Sequence, residues 1–197
     1  MKSINALLCL TGVVSGAAIY PAVKPINVEG LANGLYDVPL GPNGMDFSRA
    51  TLDEAWNISA SAPDYLSVIA NAEAYNETGI TPYCTPQFPT RKTLCRERKI
   101  RRDDYLRAYA KYLDWINNGP DNGWVRKHQC KTILWGSVVV STCSWGGPNP
   151  TCVGELVEAM RELDMYCAYD EGGDISIRHW KKVYGRHNVR DEVNGGS

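Results

Sequence analysis

The side chains in this sequence that could transfer protons near neutral pH are three histidines, His128, His179 and His187. A histidine paired with a carboxylate can act as the general base and acid of a ribonuclease. Residues that could complete such a site lie in the same part of the chain: Glu155, Glu171, Asp174, Arg178 and Arg186. The sequence does not fix their mutual geometry. A secreted hydrolase, with ribonuclease first, is therefore the alternative interpretation and not the main one.

Signatures of other chemistry are missing from the sequence. It contains no nucleophile elbow, phosphate-binding glycine loop or metalloprotease helix. Gly146-Gly147 is followed by Pro148, which has no backbone N–H to offer to a phosphate. The cysteine spacings do not form paired zinc knuckles. We therefore expect neither a cofactor nor a metal, and a protein that acts by binding.

The N-terminal stretch has the pattern of a secretory signal peptide. Residues 4–14 are mostly apolar, and small residues follow, including Ala17 and Ala18. The apolar run is shorter than the roughly 20 residues that span a bilayer. We expect residues 1–18 to be removed from a secreted, extracellular protein without a transmembrane segment. Cys9 lies in this stretch and would leave with it.

The other six cysteines are expected to form disulfide bonds in an oxidising compartment. They are Cys84, Cys95, Cys130, Cys143, Cys152 and Cys167. The sequence leaves their connectivity open: Cys84 could pair with Cys95, or bridges could join the two sides of residue 102. Two sequons, at Asn57 and Asn76, predict N-glycosylation and support the same compartment.

Charge is distributed unevenly, although the formal net charge is only -1. Residues 18–90 carry eight acidic and two basic side chains, whereas residues 91–102, the basic segment, carry seven bases and one acid. Three interpretations of the basic segment stay open. It is a solvated charged surface, a patch for nucleic acid or another anionic surface, or a processing site at Arg101-Arg102, which resembles the dibasic pairs that secretory proteases cut.

These features predict a domain organisation. Residues 19–102 form an acidic, glycosylated N-terminal region, a candidate pro-segment that ends in the dibasic site. Residues 103–190 form a disulfide-bonded domain, and residues 191–197 form a flexible tail. Within the first region, residues 19–48 are rich in proline and glycine and predict an extended lead-in outside the core.

The elements that position the candidate residues can be read from hydrophobic periodicity. Apolar residues at three- and four-residue spacing predict helices over residues 64–72, 105–116 and 153–166. The tyrosines of the second helix are interpreted as core packing. A short helix is also expected over residues 48–56, because Ser48 or Thr51 could cap it.

Strands are predicted where β-branched residues alternate or cluster. Lys131–Leu134 and Val138–Thr142 predict a hairpin, and residues 174–178 predict a later strand. Residues 180–187 mix bases with aromatic side chains. They are interpreted as an exposed edge strand protected by lysines, with a contact surface for nucleic acid, glycan or lipid as the alternative.

The order of these elements resembles a known family. Cys130-Lys-Thr-Ile, Gly136 to Cys143, the helix over residues 154–163, Cys167 and the Gly172-Gly173 turn are similar to the smut killer-toxin-like proteins and related fungal necrosis-inducing effectors. The chain departs from them in its long acidic N-terminal region and in lacking a cysteine pair after the helix.

The resemblance implies a small disulfide-bonded α+β sandwich, in which a short antiparallel sheet packs with helices behind a partly helical N-terminal region. It also implies a toxin or effector that acts on a host or competitor cell, through a protein or the cell surface. Nucleic acid is a less favoured partner.

Overall fold

The computed structural model describes residues 26–55, 64–75 and 88–191. These residues contain three α-helices, α1 (Tyr65–Tyr75), α2 (Arg102–Asn118) and α3 (Val153–Tyr166), and two short 3-10 helices at Phe47–Arg49 and Arg178–Trp180. The strands are β1 (Gly34–Gly41), β2 (Gly44–Met45), β3 (Thr51–Ala55), β4 (Lys92–Lys99), β5 (Trp124–Val125), β6 (Gln129–Trp135), β7 (Val138–Ser144), β8 (Asn149–Pro150), β9 (Glu171–Ile177) and β10 (Lys182–Asn188).

Eight of the strands form one sheet in the order β2-β1-β6-β7-β10-β9-β4, with β3 also paired to β1, and β5 and β8 form a separate pair. All neighbouring strands are antiparallel. The predicted α+β class with disulfide bonds is confirmed. The sheet is larger than the short one predicted, because strands before residue 102 join those after it.

The main core lies between one face of the sheet and the three helices. Side chains from β6, β7 and β9, such as Ile133, Val140 and Ile175, pack against Leu113 of α2 and Leu156 of α3. The predicted periodicity of these helices is confirmed. The tyrosines of α2 pack inside the core, where Tyr105 stacks on Tyr109 with ring centroids 5.8 Å apart. The stripe therefore contributes to packing, as the sequence suggested.

The second face of the sheet is covered by a smaller apolar cluster. Tyr36 and Val38 of β1 meet Ile26 and Phe47 there, together with alternate residues of β6 and β7. Strand β1 thus buries both faces, since Leu35 points into the main core. The prediction of a lead-in outside the core is wrong for this strand. Its glycines and prolines hid an alternating pattern of apolar residues.

The helix predicted over residues 48–56 is also wrong. Asp46 caps only a single 3-10 turn at Phe47–Arg49, and Thr51–Ala55 then forms the exposed strand β3 against β1. A cap residue and two acids fit a helix start, but the segment gains more hydrogen bonds by pairing with the neighbouring strand. This strand carries Asp53 to the site described below.

Strand β10 lies in the middle of the sheet, between β7 and β9, and not at an edge. Its basic residues Lys182, Arg186 and His187 are all buried. The edge-strand prediction is wrong because each of these side chains has an acidic partner that the sequence did not reveal. Strand β4, from the basic segment, forms the edge of the described sheet next to β9.

Two disulfide bonds tie the sheet together. Cys130 and Cys143 join neighbouring strands β6 and β7, and Cys95 of β4 joins Cys167 after α3. Cys152 is also disulfide-bonded, while Cys9 and Cys84 lie outside the described residues. The second bridge settles one of the open alternatives, because it links the two sides of residue 102. Across the three described ranges, no helix has the length and apolar character needed to cross a membrane.

Candidate functional site: an acidic cavity around Lys131

The structure does not gather the three predicted histidines into one site. His128 and His179 are exposed, in a turn with positive φ before β6 and in the 3-10 helix before β10 respectively. His187 is fully buried near the other end of β10. It lies five positions along the strand from Lys182 at the start of β10, roughly 16 Å at the rise of a strand. His187 therefore cannot share a proton-transfer site with His179.

The residues predicted to assist the histidines have structural partners. Nε2 of His187 lies 2.9 Å from Oδ1 of Asp174, which also binds Arg96, and Gly185 leaves room for this contact because a Cβ there would lie 2.7 Å from the same oxygen. Glu155 is buried with Lys182 and the hydroxyl of Tyr184. Burial lowers the pKa of Lys182, against the attraction of Glu155.

The other three predicted helpers are also placed apart. Arg186 is buried and donates to Asp164 and to the carbonyl of Glu171. The carboxylate of Glu171 binds Lys99, and Arg178 is exposed. Lys182 and Arg186 of β10 are thus each paired with a carboxylate of α3, and these pairs stabilise the position of α3 on the sheet.

The basic segment is paired with acids along most of its length. Six of its seven bases form ion pairs with acidic side chains that follow it in the chain. The pairs are Arg91–Glu162, Arg96–Asp174, Arg98–Asp191, Lys99–Asp170 and Lys99–Glu171, Arg101–Asp104 and Arg102–Asp164. A segment whose charges are compensated in this way has little excess potential to attract nucleic acid.

The predicted processing residues lie at the start of α2. Arg101 is the N-cap, and Arg102 donates to Asp164 and, at 2.8 Å, to the carbonyl of Tyr169. A chain cut after Arg102 would stay covalently joined by the Cys95–Cys167 bridge. The sequons at Asn57 and Asn76 and the leader residues Ala17 and Ala18 lie outside the described residues.

A different cluster, centred on Lys131, is the candidate site. Its ammonium contacts three carboxylates, at 2.8 Å from Asp37, 2.6 Å from Asp53 and 3.1 Å from Asp121. Asp37 lies directly opposite Lys131 in the register of β1 and β6, Asp53 comes from β3, and Asp121 follows α2. Three separate parts of the chain thus converge on one lysine.

The cluster contains three carboxylates and only one ammonium group. Lys131 is only 1% exposed, yet its pKa is raised: burial opposes the charge, and hydrogen bonds to Asp37 and Asp53 outweigh that penalty. An ammonium has three donors, and these contacts occupy them. Each carboxylate keeps further acceptor positions, which are partly exposed.

These carboxylates face a cavity of about 440 Å³. Its wall combines acids, bases and an aromatic ring: Leu35, Asp37, Asp53, Glu54, Lys111, Asp114, Trp115, Asn118, Gly119, Pro120, Asp121 and Arg126. The volume falls in the range of small-molecule sites, roughly 300–1,000 Å³. The cavity therefore has the size and the polar groups to hold a small ligand.

Trp115 forms part of the wall and sits beside the lysine. The Lys131 ammonium lies 5.4 Å from the centroid of its ring. The indole is 5% exposed, and its Nε1–H has no hydrogen-bond partner among the described residues. A Cβ on Gly119 would stand 2.5 Å from Cδ1 and 2.9 Å from Nε1. Only glycine therefore fits over this edge of the indole.

Two further depressions lie elsewhere on the surface of the described residues. One of about 710 Å³ lies between the start of α2 and the β6–β7 turn, where Asp104 accepts hydrogen bonds from the amide and hydroxyl of Ser137. One of about 180 Å³ lies between α1 and α2. Among residues 26–55, 64–75 and 88–191, no group of three or more His, Cys, Asp or Glu side chains is arranged to hold a metal ion.

Sequence reasoning missed the Lys131 cluster. One signal was available: Lys131 alternates in phase with Ile133 and Trp135, both of which are buried. A lysine at an inward position of a strand needs acidic partners, and this could have identified a buried charge cluster. The partners themselves are remote in sequence and follow only from the pairing of β1 and β3.

Comparison with known proteins returned no match to this chain, whether among protein-family models, curated proteins or solved structures.

Proposed function

We propose that the protein is a secreted, toxin-like or effector-like protein that acts on a host or competitor cell by binding, and that the cavity around Lys131 is its recognition site. The observation that carries the proposal is the convergence of Asp37, Asp53 and Asp121 on one buried lysine at the wall of a cavity. The disulfide bonds are consistent with an oxidising, extracellular environment.

Binding is favoured over catalysis by the way the groups are held. The raised pKa of Lys131 keeps it an ammonium at neutral pH, so it has no lone pair with which to act as a base. The carboxylates are fixed as hydrogen-bond acceptors by the same lysine. Rigid acceptors around a cavity recognise a ligand that brings donors.

Cell binding tests the proposal. Fluorescently labelled mature protein is incubated with yeast cells and with plant cells, and bound label is measured. We expect binding that falls about tenfold in the double variant Asp53→Asn/Asp121→Asn, because charge-assisted hydrogen bonds to the ligand weaken. The control is Glu158→Gln, an acid of α3 paired with Arg161 and remote from the cavity wall. Absence of cell binding, or equal binding by the double variant, contradicts the proposal.

The ribonuclease alternative has its own test. The mature protein is incubated with RNA, alongside the variants His128→Ala and His179→Ala, whose side chains are exposed. We expect no cleavage by any of them. RNA cleavage that is lost in either variant would replace the binding proposal with the hydrolase interpretation.

A further inference from the structure

We propose that the loops at one end of the sheet bind the surface of an anionic lipid bilayer. We call this surface the loop face, and it consists of residues 124–128, 145–150 and 178–181. The inference goes beyond the proposed function, because it concerns a second surface and not the acids of the cavity. It draws on the position of the three loops, on their unpaired bases and on an exposed tryptophan.

The register of the sheet brings the three loops to the same end. Gln129 at the start of β6 lies opposite Ser144 at the end of β7. Ser144 in turn lies opposite Lys182 at the start of β10. The segments that lead into β6 and β10 and the segment that leaves β7 therefore lie side by side.

Contacts between the loops join them into one surface. Trp124 of β5 lies opposite Pro150 of β8. The side-chain amide of Asn149 donates to the carbonyl of Trp180 at 2.8 Å. The loops thus hold one another in place, and the bases that they carry are presented together.

The loop face carries basic residues and no acidic ones. Its three loops contain no aspartate or glutamate, and their four lysines and arginines are all exposed: Arg126, Lys127, Arg178 and Lys181. None of the four forms an ion pair with an acidic side chain in the part of the chain that the structure describes. Arg126 also borders the acidic cavity. The other three therefore supply the excess of positive charge.

This surface differs from the basic segment, whose bases are mostly paired with acids. The potential of a paired base is largely cancelled by its partner, whereas an unpaired base attracts anions at a distance. Each lysine or arginine near an anionic bilayer strengthens binding by about fivefold. The loop face therefore has the charge that anionic lipid headgroups complement.

The centre of the loop face is uncharged, which favours a bilayer over nucleic acid. Residues 145–150 lie between the two basic loops, because β7 lies between β6 and β10, and they read Trp-Gly-Gly-Pro-Asn-Pro. Trp124 next to them is 46% exposed. Indole rings are enriched at the level of lipid headgroups, where one side is apolar and the other is wet. A groove for single-stranded nucleic acid would instead place bases along the phosphate backbone.

Vesicle sedimentation tests the inference. The secreted protein, purified from culture medium, is mixed with vesicles of phosphatidylcholine alone or of equal parts phosphatidylcholine and phosphatidylserine. We expect it to bind the mixed vesicles about a hundredfold more tightly. The variant Lys127→Gln/Arg178→Gln/Lys181→Gln should lose about a hundredfold in affinity for the mixed vesicles, since it lacks three unpaired bases.

The matched control removes the same number of charges from the basic segment. Arg98, Lys99 and Arg101 are 60%, 58% and 74% exposed, but each has an acidic partner. Lys99 also lies at the opposite end of the sheet, across from Glu171. We expect Arg98→Gln/Lys99→Gln/Arg101→Gln to change affinity for the mixed vesicles by less than about threefold.

A second pair of variants tests the exposed ring. Trp124→Ser should lower affinity for the mixed vesicles by about fivefold, because its indole no longer enters the headgroup region. Tyr169→Ser removes an aromatic side chain that is 63% exposed outside the loop face, and should leave affinity unchanged. Thermal unfolding of every variant checks that it is folded.

Three results would overturn the inference. The first is equal affinity for the two kinds of vesicle, and the second is unchanged affinity in the folded variant that lacks Lys127, Arg178 and Lys181. The third is tighter binding to RNA than to the mixed vesicles, lost in the same variant, which would assign the loop face to nucleic acid.

The cavity variant separates this inference from the proposed function. Asp53→Asn/Asp121→Asn leaves the loop face intact, so it should bind the mixed vesicles at least as tightly as the unaltered protein. Weaker binding by this variant would place the lipid contact at the cavity and overturn the inference. Cell binding that does not depend on the two acids would contradict the proposed function and leave the loop face standing.

Discussion

The basic segment and the Lys131 cavity use charge in opposite ways. In the basic segment, six bases are distributed over acids from α2, α3, β9, the residue before β9 and the C-terminal end of the described chain, so that no two of these bases share an acid. In the cavity, three acids share one base. The first arrangement balances charge along a surface, and the second leaves acceptors free beside an open volume.

This difference shows that a run of like charges is a poor guide to a binding site. The basic segment is conspicuous in the sequence, yet it is compensated in the fold and holds the edge strand β4 against the rest of the sheet. The acids of the cavity are dispersed over the first 121 residues and attract no attention. What matters is whether the folded chain supplies a partner for each charge.

The largest expected effect comes from the Cys95–Cys167 bridge, which fastens the basic segment to the end of α3. Its cysteines are 72 residues apart. Removing both in Cys95→Ala/Cys167→Ala should lower the free energy of unfolding by about 4 kcal/mol, since the unfolded chain gains the entropy of a long loop. Urea denaturation measures the loss. If the segment were a free functional patch, stability would hardly change.

The bridge between β6 and β7 is the matched comparison for that experiment. Cys130 and Cys143 are only 13 residues apart, so the same model assigns their bridge about 3 kcal/mol. A larger loss from Cys130→Ala/Cys143→Ala than from the long-range pair would mean that β4 is held by its ion pairs more than by its disulfide.

The second prediction concerns the lysine of the cavity. Lys131→Met leaves three carboxylates facing one another without their shared ammonium, and should lower the free energy of unfolding by about 3 kcal/mol at pH 7. Lys127→Met, at an exposed position in the turn before β6, is the control. A loss as small as that of the control would show that the cavity acids do not depend on Lys131, and would remove the basis for calling it the centre of the site.

The sequence predicted those parts of the fold that depend on local periodicity. The helices α1, α2 and α3 and the β6–β7 hairpin were all expected, because apolar residues repeat at the spacing of their own element. The prediction that the cysteines form disulfide bonds is confirmed for Cys95, Cys130, Cys143 and Cys167, and the structure identifies which of these pair with each other.

The parts that the sequence did not predict depend on pairing between distant residues. Strand β10 carries Lys182, Arg186 and His187 into the interior, and only Glu155, Asp164 and Asp174 on other elements make that burial tolerable. Likewise, the sequence predicts that Lys131 lies on a strand but does not identify its acidic partners. Asp37 and Asp53 reach it from β1 and β3, and the composition of those two segments does not indicate strands. Partners of this kind are invisible to a window of neighbouring residues.

The smallest of the three effects tests a single pair of the basic segment. Arg96 and Asp174 are both mostly buried, with side chains 14% and 9% exposed. Arg96→Met should lower the free energy of unfolding by about 2 kcal/mol at pH 7, because Asp174 keeps His187 and loses its guanidinium. Arg101→Met, at an exposed position of the same segment, should change it by less than about 0.5 kcal/mol.

The pH dependence of this pair gives the sharper readout. Burial would raise the pKa of Asp174, but its contacts with His187 and Arg96 outweigh burial and lower it. A carboxyl whose pKa is lower in the folded state stabilises the fold above its unfolded pKa of about 3.9, and that stability is lost as pH falls through the folded value. Urea denaturation between roughly pH 5 and pH 2, where carboxyl groups titrate, should therefore show a shallower loss of stability with acid in Arg96→Met than in the unaltered protein. An equal slope in both would mean that Arg96 does not stabilise the charged carboxylate, and that even the least exposed of the paired bases in the basic segment behaves as solvated surface.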